Sequence, residues 1–300
     1  MPQMFRRGRF WIQLGVVVAL MAFGGLLINN ITVNLIRTGL GLDFGWLWRP
    51  AGFALAETAL PYAPTDSYAW ALVIGWMNSL KVILVGLLLA TMLGVAAGAA
   101  RSSRNRLLRS LSGGYVALIR QVPLLLQLLF WYFVAFLGLP DTPVGGLIHF
   151  SNQGIRLLGL NLSVEFCSVL TGLVVFTGAS IAEIVRGGIN AVSRGQWEAF
   201  RSLGLSEGLG LRRIVLPQAL PAILPALTSQ YLNLAKNSTL AIAVGYADLY
   251  AVSDTTITQT GRAIEGFLLL LLSFLLLNLV ISGGMALMNR AVLGRLQRSR

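Results

Sequence analysis

The chain has 300 residues, of which 56% are hydrophobic and only 11% are charged, and its formal net charge is +12. This composition excludes an ordinary soluble domain, because such domains carry about a quarter of their residues as charged side chains. A basic excess is also typical of nucleic-acid-binding proteins, so the positions of the charges have to decide between the two classes.

The arginines cluster beside apolar runs, and the connectors between the clusters carry more acid. The clusters are Arg6, Arg7 and Arg9; Arg101, Arg104, Arg106 and Arg109; Arg194, Arg201, Arg212 and Arg213; and Arg290, Arg295, Arg298 and Arg300. The connector acids are Asp43, Glu57, Asp66, Asp248 and Asp254. This alternation follows the positive-inside rule. It predicts that both termini and the loops around Arg104 and Glu198 are cytoplasmic, and it removes the reason to expect a nucleic-acid partner.

Residues 10–28 form the first apolar run, which is long enough to span about 30 Å of hydrocarbon as a helix. A basic start followed by an apolar run is also typical of a cleaved signal peptide. The run ends in Asn29-Asn30 without a clear small-x-small cleavage site, so a retained helix is favoured. Residues 30–69 are rich in Gly, Pro, Trp and acid and predict an external connector.

Residues 70–100 hold the second span, with Gly94 and Gly98 spaced for close contact between helices. Lys81 lies inside this span. A charged side chain is costly there and is by default a candidate for the substrate pathway. The alternative is that Lys81 extends toward the outer headgroups from the first turns of the helix. The sequence does not decide between these interpretations.

The third span is predicted over residues 114–137, with a kink at Pro123. Proline frees a backbone carbonyl, and Gln127 lies one turn further along the same face. Two interpretations stay open for this stretch. It is either a kinked contact between helices or a part of the substrate pathway in which Arg120 and Gln127 contact the substrate directly.

Residues 139–161 predict a second external connector, and residues 164–185 predict the fourth span. Glu183 and Arg186 lie one turn apart near its inner end, which is typical of local charge balance. No other pair of charges stands out in this span.

The fifth span follows Pro217, and its prolines recur at every fourth residue, which we interpret as one face packed against partner helices. It ends in a polar cluster that includes Asn237 and Ser238, two further candidates for the substrate pathway. The sixth span, residues 267–288, is uncharged and leads to the basic C-terminal tail.

The polar loop between the fourth and fifth spans predicts two short helices joined by a tight turn. Ser193 is expected to cap the first helix, with Gln196 reaching back to complete a capping box. Gly204 is expected to end that helix in a left-handed conformation, and Ser206 to cap the second helix. Pro217 is expected to mark a break before the next span.

Six positions of this loop stand at the spacing of the EAA loop of ABC importer permeases. They are Glu198, Ala199, Gly204, Ile214, Leu216 and Pro217. The chain departs from the pattern at Phe200, where the family has a second alanine. Residues 120–127, 182–189 and 236–243 are similar to segments of the polar amino-acid branch of that family. The resemblance to this branch covers the chain from about residue 70 to the C-terminus. The extra leading helix looks like that of the general and neutral amino-acid permeases of bacteria.

The resemblance implies an all-α membrane protein of about six transmembrane helices, a type-1 permease core preceded by one extra N-terminal helix, in the bacterial inner membrane. The division it implies is residues 1–69 for the first helix and connector, 70–292 for the permease domain and 293–300 for a cytoplasmic tail. The resemblance also implies that the chain is embedded in the membrane as a channel-forming subunit that translocates an amino acid.

The resemblance also implies the partners. An ATP-binding subunit would dock on the EAA loop, a second permease chain, identical or related, would complete the channel, and an external binding protein would deliver the substrate. ATP would be bound by the partner subunit, so this chain is expected to hold no cofactor, no metal and no catalytic site. In keeping with that expectation, the sequence has no Walker motif.

Two other classes compete with the importer permease. An ion-coupled secondary amino-acid transporter would usually show paired intramembrane carboxylates and an internal repeat, and neither is clear here. A membrane enzyme needs a nucleophile with its base, or a metal site, which the single His149 and the single Cys167 do not make. The EAA loop therefore favours the permease, while the amino acid carried and the identity of the second chain stay open.

Overall fold

A computed structural model describes residues 2–37, 42–58, 60–138, 142–144, 148–151, 154–157 and 160–298. These residues are mostly helical. The helices are α1 Pro2–Arg37, α2 Tyr68–Arg101, α3 Arg106–Gln121, α4 Leu124–Phe130, α5 Val164–Asn190, α6 Arg194–Ser202, α7 Glu207–Gly210, α8 Leu216–Asn237, α9 Leu249–Thr260 and α10 Ala263–Arg298. The chain divides into two compact units, Met1–Trp46 with α1 and Leu47–Arg300 with all the later helices.

Four helices in the described part of the chain are long and apolar enough to cross a membrane. They are Trp11–Asn34 within α1, α2, α5 and Ala263–Val292 within α10. A fifth span results if α3 and α4 count together. The predicted helical membrane protein is confirmed; by length and composition, four or five spans qualify among the described residues, where about six were predicted. The predicted fifth span, α8, is not among them, because its prolines and polar side chains lower its hydropathy.

The predicted third span is not one kinked helix. α3 and α4 are bent by 104° relative to each other, around Val122, which has the extended conformation favoured before proline. Instead of continuing straight into α4, α3 packs against α2 and α5. Ser112 Oγ donates to the carbonyl of Ala97 at 2.6 Å, and the Tyr115 hydroxyl donates to the carbonyl of Val175 at 2.7 Å.

The central helix is α5, which packs against α2, α3, α4 and α8. Gly94 and Gly98 make the predicted close contact of α2 with this helix. A Cβ added at Gly94 would lie 2.5 Å from Ile181 Cβ, and one added at Gly98 would lie 2.7 Å from the carbonyl oxygen of Ala182. Only glycine leaves room for the two backbones at this distance.

The second external connector contains a small antiparallel sheet that the sequence did not predict. Its strands, in spatial order, are β1 Thr142–Val144, β2 Ile148–Ser151, β3 Gly154–Leu157 and β4 Leu160–Ser163. His149, Arg156 and Asn161 lie opposite one another across β2, β3 and β4, so they share one face. The alternate residues Ile155 and Leu162 pack against the buried cluster formed by α2, α4 and α5.

A further short helix, α9, follows the predicted fifth span. Asp248 begins it by accepting a hydrogen bond from the backbone N–H of Ala251 at 2.8 Å, and Gly261 ends it with a φ of +68°. α9 packs against α2 and α10. The sequence had predicted only an external loop here, because twelve residues with four threonines do not give a clear apolar period.

Candidate functional site

The tight turn predicted between α6 and α7 is confirmed. Gly204 has a φ of +70°. Its N–H donates to the carbonyl of Arg201 at 3.0 Å, and the N–H of Leu205 donates to that of Phe200 at 3.2 Å. This pair of bonds is the Schellman arrangement, which ends a helix on a left-handed residue. Ser206 caps α7 as predicted, accepting from the backbone N–H of Leu209 at 3.4 Å.

The predicted capping box at the start of α6 is wrong. The Ser193 side chain makes no cap hydrogen bond. Gln196 does not reach back to it, because its side-chain oxygen accepts from the Gln218 amide at 3.1 Å. A tertiary contact between α6 and α8 therefore takes the place of the local cap.

The predicted break at Pro217 is also wrong. The backbone stays helical from α7 through a π-helical segment, Leu211–Val215, into α8. The N–H of Leu216 bonds to the carbonyl of Leu211, five residues back. Pro217 lies in the first turn of α8, next to this wide turn, where its missing N–H is tolerated. α7, the π-helical segment and α8 thus form one continuous helical segment.

Phe200, the departure from the EAA pattern, is fully buried inside the loop. Its ring lies over Gly210, where an added Cβ would be 2.4 Å from Phe200 Cδ2. Trp197 packs beside it with ring centroids 5.6 Å apart. The larger side chain therefore fills the interior of the loop and leaves the exposed face of α6 unchanged.

Four of the six motif positions divide into an exposed pair and an inward pair. Glu198 and Ala199 are exposed on α6, and Leu203, one turn after Ala199, has 75% of its surface exposed. Ile214 and Leu216 point the other way and pack against the buried cluster formed by α5 and α8. The loop thus presents an acid, a small residue and an apolar residue together.

Ion pairs tie the loop to the neighbouring inner segments. Glu207 of α7 accepts from Arg201 of α6 at 2.9 Å and from Arg104, which precedes α3, at 2.8 Å. These groups are largely exposed, so each pair contributes little, about 0–1 kcal/mol. Nearby, Glu183 binds both Arg186, as predicted, and Arg101 of α2.

Gln127, a candidate for the substrate pathway, fastens the bend between α3 and α4. Its amide nitrogen donates to the carbonyls of Ile119 and Val122, each at 2.9 Å. Its oxygen is buried and has no partner within the described part of the chain. This geometry favours the helix-contact interpretation. Arg120 is exposed and borders a cavity of about 320 Å³ that also reaches Arg101 and Glu183.

Asn237 and Ser238 lie where α8 ends and a 3₁₀ segment, Ser238–Val244, begins. Ser238 is buried and its hydroxyl donates to the carbonyl of Ala235 at 2.9 Å. The 3₁₀ segment packs against α2, α4 and α5, which brings it next to the helix that carries Gln127. Contact of these residues with a substrate stays a prediction.

Lys81 has partners that neither sequence interpretation included. Its ammonium is 2.5 Å from Glu57 Oε1 and 4.2 Å from the centre of the Phe166 ring. The other oxygen of Glu57 accepts from the hydroxyl of Ser163, the residue that caps α5. One carboxylate of the first connector thus joins α2 to the start of α5.

Asn78 completes what we name the outer polar cluster, which consists of Glu57, Asn78, Lys81 and Ser163. Asn78 is fully buried, and its amide nitrogen donates to the carbonyls of Glu57 at 2.9 Å and Ala247 at 2.8 Å. Asp248, which follows Ala247 in the chain, is almost fully buried as well. Burial raises the pKa of Asp248 to about 7.

A cavity of about 360 Å³ adjoins the outer polar cluster. Glu57 and Ser163 border it, and so does the polar row of the sheet, His149, Arg156 and Asn161. In that row Arg156 donates to the side-chain oxygen of Asn161 at 2.9 Å. Within the described ranges, no group of three or more His, Cys, Asp or Glu side chains is arranged to hold a metal ion.

Comparisons with known proteins cover most of the chain. The family described as binding-protein-dependent transport system inner membrane component matches residues 90–294. The chain is 33% identical to the putative amino-acid ABC transporter permease protein YhdX of Escherichia coli strain K12, covering 95% of this chain and 94% of that protein. It is 32% identical to the general L-amino acid transport system permease protein AapQ of Rhizobium johnstonii, covering 84% of each.

Solved structures give the same fold. A chain of an amino acid ABC transporter crystallised with histidines superposes with a TM-score of 0.59 at 28% identity, covering 75% of this chain and 95% of that one. A chain of the MetNI methionine ABC transporter in an inward-facing conformation superposes with a TM-score of 0.58 at 21% identity, covering 74% and 96%. The second likeness concerns the fold alone.

Proposed function

The chain belongs to the family of binding-protein-dependent transport system inner membrane components, and on that premise we propose that it is the permease subunit of an ABC importer for amino acids. Relatives that match nearly the whole chain carry this function in their names. The observation that carries the proposal is the loop of α6 and α7, which presents an exposed face on a rigidly packed interior.

Docking of an ATP-binding subunit on this loop follows from its exposed chemistry. Ala199 is small and lets a partner surface approach closely, while Leu203 offers an apolar side chain that the chain itself leaves in solvent. Glu198 lies in the first half of α6, where the helix dipole favours an acid, and it is free to pair with a basic residue of the partner. ATP is bound by that partner, and this chain holds no cofactor.

Movement of the docked subunit reaches the membrane through the helical segment that begins at α7. Because the backbone stays helical across Pro217, displacement of the loop moves α8 with it. α8 ends at Asn237 and Ser238, beside the helix that carries Gln127. We place the substrate pathway along Asn237 and Ser238, with Arg120 toward the inner side. Gln127 borders this pathway by fastening the bend between α3 and α4.

The remaining partners follow from the family and from the single coupling loop in this chain. A second permease chain, identical or related, is needed to match two ATP-binding subunits, and an external binding protein delivers the amino acid. The protein crosses the bacterial inner membrane several times, with both termini and the α6–α7 loop in the cytoplasm, as the arginine clusters indicate. The first 69 residues and the basic tail from residue 293 flank the permease domain.

The test uses the left-handed turn. Gly204→Val introduces a branched side chain at a φ of +70°, which costs about 1–2 kcal/mol or more and displaces α6. Gly208→Val is the matched control, because its added Cβ meets no atom within 4 Å and its φ is not positive. Amino-acid uptake and co-purification of the ATP-binding subunit are measured together.

Gly204→Val is expected to abolish uptake and weaken co-purification while the protein still inserts, and Gly208→Val is expected to retain both. Glu198→Lys is expected to weaken both without displacing the loop. If Gly204→Val transports normally with the ATP-binding subunit bound, the loop is not the coupling element. An ion-coupled secondary transporter would then have to be considered again.

A further inference from the structure

The carboxylate of Glu57 is held by two donors from two different membrane helices. Lys81 Nζ of α2 lies 2.5 Å from one oxygen, and the hydroxyl of Ser163, at the start of α5, donates to the other. The Glu57 side chain has only 15% of its surface exposed. Such charge-assisted hydrogen bonds are strong when water is largely excluded.

Glu57 itself lies in a connector rather than in a helix. Residues 51–58 have no regular secondary structure apart from one bend, and among the described side-chain contacts Glu57 is held by the outer polar cluster. A side chain carried on such a segment can leave its site without unfolding a helix. The two donors, in contrast, stand on α2 and at the cap of α5 and stay in place.

A carboxylate is also the group that every α-amino acid brings to a permease. The cavity of about 360 Å³ beside the cluster is bordered by Glu57 and Ser163, and its volume suits one small molecule. Arg156 borders the same cavity. Lys81 does not border the cavity itself, but its Nζ lies 2.5 Å from Glu57 Oε1, so a ligand carboxylate that takes the place of the Glu57 carboxylate would meet this ammonium.

We propose that Lys81 and Ser163 form an outer site for the carboxylate of the transported amino acid, and that Glu57 is a tethered carboxylate occupying that site in the absence of substrate. This inference rests on the proposed function. The incoming amino acid displaces the Glu57 carboxylate and pairs with Lys81 and Ser163, while Asn78 still holds the Glu57 carbonyl.

A purely structural ion pair makes a different prediction from a displaceable one. If Glu57 and Lys81 only hold the outer face together, removing either partner harms the protein in the same way. If Glu57 competes with substrate, removing Glu57 strengthens substrate binding and removing Lys81 weakens it. The sign of the change in half-saturating concentration therefore separates the two.

The experiment uses the full permease with its ATP-binding subunit and binding protein in proteoliposomes. Radiolabelled samples of the twenty common amino acids identify one that the wild type takes up, and its half-saturating concentration is then compared among variants. Glu57→Gln is expected to lower it about tenfold, and Lys81→Met to raise it about tenfold, the effect of one charge-assisted hydrogen bond. Lys81→Arg is expected to restore much of the affinity, since it keeps the charge.

Glu165→Gln is the matched control, because this acid lies two residues beyond Ser163 and contacts the Tyr132 hydroxyl at 3.4 Å rather than Lys81. Its half-saturating concentration is expected to stay at the wild-type value. The double variant Glu57→Gln/Lys81→Met leaves no unpaired charge and is expected to remain weak in substrate binding. This separates lost binding from misfolding.

Shifts of the same sign for Glu57→Gln and Lys81→Met, or a double variant with wild-type affinity, would overturn the inference while leaving the importer function intact. A wild type that takes up none of the twenty amino acids would instead overturn the proposed function, and the inference with it.

Discussion

The inner loop and the outer polar cluster both fix a short segment against the membrane helices, but they do so by opposite means. The loop of α6 and α7 is held by shape: Phe200 fills the space above Gly210, and the charged groups stay near the surface. The outer cluster is held by polar partners: Asn78 is fully buried, and the carboxylate of Glu57 is largely so.

The difference matters for what each region tolerates. A close-packed interior is sensitive to added volume, and the exposed ion pairs around it contribute little to stability, so it suits a surface that has to transmit force. A buried polar cluster is sensitive to the loss of a single hydrogen-bonding partner, so it suits a place where one ligand group replaces another. The following substitutions test that division.

Gly210→Val is expected to have the largest effect. An added Cβ would lie 2.4 Å from the ring of Phe200, and such overpacking costs about 1–3 kcal/mol. We expect loss of transport and of co-purification of the ATP-binding subunit. The double variant Phe200→Ala/Gly210→Val should recover part of both, because the smaller side chain removes the clash. If the double variant is no better than Gly210→Val, the loop is not held by this contact.

Asn78→Leu is expected to have an intermediate effect that needs no clash. It leaves the carbonyls of Glu57 and Ala247 without their donor, which costs about 1–3 kcal/mol and should lower the thermal midpoint of the complex in detergent. Asn278→Leu in α10 is the control, because both asparagine oxygens lack a partner within the described residues, while only the Asn78 nitrogen donates to carbonyls. Equal losses for both variants would contradict the assignment.

Asp248→Asn is expected to have the smallest effect, visible as a change in pH dependence. Burial raises the pKa of Asp248 to about 7, whereas an unfolded aspartate titrates near about 4. Between these values the folded protein holds a proton that the unfolded chain has lost, so the stability from this group falls as pH rises from about 4 to about 7. In the variant, the free energy of unfolding should fall less steeply over this pH range.

Thermal unfolding of the complex across that pH range measures the difference. Asp254→Asn, an exposed acid on the same helix, should leave the wild-type slope in place. A slope that is unaltered by Asp248→Asn would mean that the pKa of this carboxyl group is the same in the folded and unfolded states.

The sequence was sufficient for features that depend on neighbouring residues. Long apolar runs predicted α2, α5 and the apolar part of α10 to within several residues. The Gly94 and Gly98 spacing predicted a close contact with another helix, though not that this helix is α5, and Gly204 predicted the left-handed turn. Each rests on local chemistry, on hydrocarbon thickness or on the helical period, which a single sequence displays.

Features that depend on distant partners were missed. The capping box at α6 does not form, since Ser193 makes no cap hydrogen bond and Gln196 bonds to α8 instead. The helix continues through Pro217 because a π-helical turn precedes it. Glu57 and Ser163 are 106 residues apart, and nothing near either one indicates the other. The strands of the outer sheet are three or four residues long, too short for a period-two pattern to stand out.

Under the proposed coupling, the continuous helix from Glu207 to Asn237 is a lever arm. At the rise of an α-helix it is about 45 Å long, and a tilt of about 10° at its inner end would carry its far end through about 8 Å. Its pivot is set by the side contacts of α8 with α5 and α10, so the stroke available at Ser238 depends on where along the rod those contacts lie. Shortening the inner segment would reduce that stroke even with the docking face intact.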